Sequence, residues 1–224
     1  MNMQEHNTTL QHAGVSEAEV SKLFRNTYSL LALTLAFSAI VAFVSMSLNL
    51  PYPAIIITLV GFYGLLFLTT KLRNSSWGLV STFAFTGFLG YTLGPILNAY
   101  LSLPNGGQLV AMALGMTALV FFGLSAYAIL SRKDFSFLSS FLTAGAFVLI
   151  GAMLLAFFME SSVLHLAVSA GFTIFASIMI LFETSQIIKG GERNYILATV
   201  GLYVSIYNLF LSLLQLLAAF SGED

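Results

Sequence analysis

One ionisable side chain stands well inside an apolar stretch of this sequence, Glu183 in Ile180-Leu181-Phe182-Glu183-Thr184-Ser185-Gln186. The next charge, Lys189, lies about six residues on, so at about 1.5 Å of rise per residue Glu183 sits about 9 Å below the end of its helix. A carboxylate at that depth in a bilayer must be protonated, paired or hydrated, and groups so placed are candidates for ion or proton chemistry. Two readings are open. Glu183 reaches the rim and pairs with a basic residue such as Lys71 or Arg73, or it approaches the polar residues Ser205 and Asn208 of the following segment, to which a tight turn at Lys189-Gly190-Gly191-Glu192-Arg193 would bring it. His165 has no second histidine or carboxylate at ligand spacing, so no metal site is expected. Cysteine is absent, which excludes thiol catalysis and thiolate metal sites. Without G-x-S-x-G, H-E-x-x-H or paired intramembrane aspartates, the sequence reads as a non-enzyme needing no cofactor.

The elements that must position Glu183 follow from composition. Of 224 residues, 58% are hydrophobic and 8% charged, against about 25% charged in soluble domains, and the mean hydropathy is +0.93. Eight Lys and Arg balance nine Asp and Glu, which leaves no basic surface for nucleic acid. A span needs about 20 apolar residues, and breaks at charges, Pro and Gly predict seven, near 28–48, 54–70, 78–100, 108–130, 137–159, 162–188 and 195–220. The fold expected is an all-α, seven-helix membrane domain over residues 22–224, behind a flexible polar tail, residues 1–21, on the cytoplasmic side. Ser16 and Glu19 form a capping-box signal for a helix starting near Glu17. All eight basic residues (Lys22, Arg25, Lys71, Arg73, Arg132, Lys133, Lys189, Arg193) fall on the N-terminal flank or in every second loop. The positive-inside rule then places the N-terminus in the cytoplasm and the C-terminus across the membrane.

The last span carries a seam of small or polar residues: Ala198, Gly201, Ser205, Asn208, Ser212, Gln215, Ala219 and Gly222. In a bilayer such a seam should face protein, because small residues admit neighbouring backbones and Ser, Asn and Gln need partners that lipid lacks. This helix is expected to be the post against which the others pack. Gly90 and Gly94, followed by Pro95, predict close helix contact and a kink in the third span.

Several stretches together resemble one family. Leu181-Phe182-Glu183-Thr184-Ser185-Gln186, Lys133-Asp134-Phe135-Ser136-Phe137-Leu138, Thr82-Phe83-Ala84-Phe85 with Gly94-Pro95-Ile96, and Leu202-Tyr203 with Asn208-Leu209-Phe210 are similar to the Bax inhibitor-1 (transmembrane Bax-inhibitor-motif) family. Arg25-Asn26-Thr27-Tyr28, Leu33 to Ile40 and Gly190-Gly191-Glu192 with Asn194-Tyr195-Ile196 resemble its bacterial YccA branch. The resemblance implies seven helices around a central seventh. It also implies two kinds of function. The YccA branch implies binding to the inner-membrane AAA protease FtsH and its HflK and HflC partners, with restraint of proteolysis. The wider family implies a pH-sensitive calcium leak gated by a carboxylate pair, of which Glu183 matches one member; Ser205, at the other position, departs from the pattern and cannot ionise.

Overall fold

The computed structural model describes residues 17–159 and 161–222. They form seven helices: α1 (Glu17–Ser47), α2 (Ile55–Leu72), α3 (Trp77–Leu101), α4 (Gly106–Ser131), α5 (Leu138–Met159), α6 (Ser162–Lys189) and α7 (Tyr195–Ser221). All seven are long and apolar enough to cross a membrane, and no strand occurs among the described residues. α1 is helical from Glu17, the first described residue, so residues 17–21 of the expected tail belong to the helix. Ser16 and most of the expected tail lie outside the described residues.

α7 is the post. It packs against α1, α2, α3, α4 and α6, while among the described helices α5 packs closely on α6 only. The seam reading needs one correction. Ala198, Ser205 and Ser212 are buried, but so are Leu202, Tyr203, Leu209, Phe210, Leu213 and Leu214, whereas Gln215 and Gly222 are exposed. The seam therefore does not divide a protein face from a lipid face. α7 is enclosed on several sides because hydropathy does not separate a neighbouring helix from lipid.

The kink signal in α3 has a physical resolution. Pro95 has no N–H to give the carbonyl of Tyr91 one turn earlier, and a free carbonyl in hydrocarbon needs a donor. Ser45 of α1 supplies it, its hydroxyl donating to Tyr91 O at 2.9 Å. Gly94 makes room, since a Cβ there would meet Ser45 Oγ at 2.5 Å, and a Cβ on Gly90 would run into the backbone oxygen of Ser38. Ser45→Ala is therefore expected to cost about 1 kcal/mol in the native chain and close to nothing in a Pro95→Ala background, where Tyr91 regains its helical donor. Equal costs in both backgrounds, read by thermal unfolding in detergent, would contradict this pairing.

The basic loops meet at one end. The side-chain amide of Asn194 donates to Arg73 O at 3.1 Å and to Asn74 Oδ1 at 2.9 Å. Its Oδ1 accepts from the amides of Ile196 and Leu197, which caps α7. Ser185 of α6 accepts from the Phe135 amide and donates to Lys133 O. In that loop the hydroxyl and amide of Ser136 hold the Asp134 carboxyl below its usual range. Gly190 ends α6 at φ 73°, a left-handed conformation that favours glycine.

Candidate functional site

The turn at Gly190 and Gly191 returns the chain so that α7 packs along α6. Glu183, six residues before the end of α6, then faces Gly201 and Ser205, one turn apart on α7. The Ser205 hydroxyl donates to Glu183 Oε2 at 3.0 Å. Gly201 is what allows the approach, because a Cβ there would lie 2.5 Å from Glu183 Oε1. Of the two readings open in the sequence, the geometry favours the α7 partner: among the described residues Glu183 has no ion pair, and Lys71 is exposed at the end of α2, with Arg73 just beyond it.

Glu183, Gly201, Ser205 and Asn208 line a cavity of about 280 Å³ whose other walls are apolar, among them Phe62 and Leu66 of α2 and Phe175 and Met179 of α6. α2 and α6 do not pack on each other, so the cavity opens between them. A carboxylate and a hydroxyl in such a setting can accept a proton or offer oxygens to a cation. Among the described residues, however, no three His, Asp or Glu side chains come together as a metal-ligand group. His165 lies toward the other end of α6, its Nδ1 2.9 Å from Ser161 O.

Sequence reasoning missed two polar clusters. Tyr28 of α1 pairs with Thr184 of α6 at 3.2 Å, and Ser125 of α4 lies 3.4 Å from the same Thr184 hydroxyl, directly beside Glu183 in sequence. Deeper in the bundle, Tyr203 of α7 donates to Thr86 O at 3.3 Å and pairs with the hydroxyl of Ser38. One turn further on, Tyr207 meets Thr92 at 3.1 Å. The available signal was Tyr203 and Tyr207, two phenols at helical spacing inside the last span, where each needs a partner.

Seven apolar helices, five of them packed on the seventh, α7, with one carboxylate bonded across the α6–α7 contact, define a multi-pass membrane protein. The chain belongs to the Bax inhibitor-1 family: the family described as "Inhibitor of apoptosis-promoting Bax1" matches residues 20–222. It is 57% identical over 213 residues to the protein named "Modulator of FtsH protease YccA" of Escherichia coli K12, covering 95% of this chain and 96% of that one. The same identity and coverage hold for the "Inner membrane protein YccA" of Escherichia coli O6:H1. An uncharacterized protein of Pseudomonas aeruginosa is 64% identical over 99% of this chain and 100% of its own length.

Proposed function

We propose that the chain is a non-enzymatic binding protein of a bacterial inner membrane that restrains the membrane protease FtsH, in company with HflK and HflC, with its N-terminus in the cytoplasm and its C-terminus in the periplasm. The observation that carries this reading is the 57% identity, over nearly the full length of both chains, to a protein named as a modulator of that protease. The arrangement of basic residues on one end of the bundle supports the orientation, and a reporter fused after Asp224 should register the periplasmic side. Producing the chain in cells that contain FtsH should lengthen the half-life of a membrane substrate of the protease several-fold. An unchanged half-life, with the chain present in the membrane, would remove the reading.

The polar N-terminal segment supplies a handle for a protease that pulls from the cytoplasm. Deleting residues 2–16 leaves the described α1, Glu17–Ser47, in place and should prolong the lifetime of the chain without affecting its insertion; unaltered turnover would dispose of the handle.

A second reading, a calcium or proton leak at Glu183, is favoured by the bond from Ser205 and the cavity around it. Liposome flux separates the two.

A further inference from the structure

α1 and α4 each pack on α3 and α7, but their backbones do not come close to each other. Between them lies a cavity of about 460 Å³ with Ala39 and Ala42 on one wall, Leu114 and Ala118 on the other, and Tyr203 and Tyr207 of α7 in the floor. Its volume is within the roughly 300–1,000 Å³ of small-molecule sites. It runs from Leu35 to Met46 along α1 and from Val110 to Phe122 along α4, about 16–18 Å at the helical rise. That is close to one leaflet of a hydrocarbon core about 30 Å thick. Toward the basic loops it is closed by the Tyr28 ring of α1 against Phe121 of α4, with centroids 6.0 Å apart. Toward the opposite face no ring contact bridges α1 and α4 among the described residues.

The floor is apolar in effect although it holds two phenols. Tyr203 directs its proton to Thr86 O, which leaves the Ser38 hydroxyl to donate to Tyr203. Thr92 gives its proton to Leu89 O, so Tyr207 must donate to Thr92. With the hydroxyl protons committed inward, the groove offers no free hydroxyl donor to a headgroup. A leaflet's length of α-helix, about 10 Å across, occupies on the order of 1,000 Å³, which is more than the groove holds, and a spanning helix would run on past the Tyr28–Phe121 closure.

We propose that this groove is a binding site for one fatty acyl chain of a lipid from the leaflet opposite the basic loops, held between α1 and α4 with its methyl end toward Phe121. The proposal is independent of the protease reading, since it rests on the cavity alone. The test uses the full chain in nanodiscs of phosphatidylethanolamine and phosphatidylglycerol, doped with a phosphatidylethanolamine that carries a diazirine near the end of one acyl chain. After irradiation, adducts are mapped by mass spectrometry. Labelling of Leu35–Ala39 and Ala118–Phe122, the closed end of the groove, is expected to exceed that of the lipid-facing α5 stretch Phe147–Leu155 at least several-fold. Ala118→Trp, on the exposed lip of α4, should cut groove labelling by a similar factor and leave α5 labelling unchanged; Leu114→Phe gives the same reading should the tryptophan variant not fold. Equal labelling of groove and α5 would mean surrounding lipid only, and groove labelling untouched by either variant would place the chain elsewhere. Disulfide cross-linking of two copies that carry Ala118→Cys, in a chain without native cysteine, would make the occupant a second chain. Any of these three results overturns the proposal.

Discussion

Gly201→Leu is expected to destabilise the bundle by about 3–5 kcal/mol, the largest effect of any single substitution considered. Two costs combine. Added carbons at Gly201 enter space held by the Glu183 carboxylate, and overpacking of this kind costs about 1–3 kcal/mol. Moving the carboxylate also breaks its bond from Ser205, and leaving such a group unsatisfied costs about 1–3 kcal/mol, more if it is charged. Gly64→Leu is the internal control, because nothing lies within 4 Å of a Cβ built there, and it should be close to neutral. Matching loss of thermal stability in the two variants would mean that the α6–α7 approach does not depend on Gly201.

Ser205→Asp is expected to introduce or sharpen pH-dependent calcium passage, a change of several-fold or more between acid and neutral buffer in liposomes. The Ser205 oxygen is already 3.0 Å from Glu183 Oε2, and two carboxylates at that range compete for one proton instead of ionising independently. Glu183→Gln added to Ser205→Asp should abolish the gain, since one carboxylate remains. Steep pH-dependent leakage by the native chain, lost in Glu183→Gln, would make the channel the leading function. The same leakage unmoved by Glu183→Gln would put the conducting path elsewhere.

The spans were legible because a bilayer imposes length: each predicted segment lies within a helix or within a residue of its end. So was the Gly90-Gly94-Pro95 contact, since small residues and a missing N–H are local properties. The partner that answers Pro95 was not, because Ser45 is 46 positions from Tyr91 and nothing in its neighbourhood marks it. Glu183 announced itself by its charge, yet the sequence left open whether Lys71 and Arg73 or Ser205 would meet it; the choice depends on how α6 is rotated against α7. The periphery was hidden for a different reason. α5 is as apolar as α7, but among the described helices it packs closely on α6 only and exposes Phe141, Phe147, Leu154 and Leu155, and composition cannot distinguish a side chain that touches lipid from one that touches another helix.

The way α1 is fastened has a mechanical consequence. Its ties are spread along its length: Thr199 to the carbonyl of Thr27, Tyr28 to Thr184, Ser38 to Tyr203, Ser45 to Tyr91, and Asn98 to the carbonyl of Met46. A tension applied at Glu17 along the helix axis loads these ties in shear and together, as in a row of stitches pulled lengthwise, so α1 cannot be peeled away one bond at a time. A sideways load on α5 meets, among the described helices, chiefly its packing on α6. The molecule is therefore anisotropic in strength: it resists withdrawal through its first helix far more than displacement of its fifth, and an unfolding machine that grips the N-terminus meets its strongest direction first.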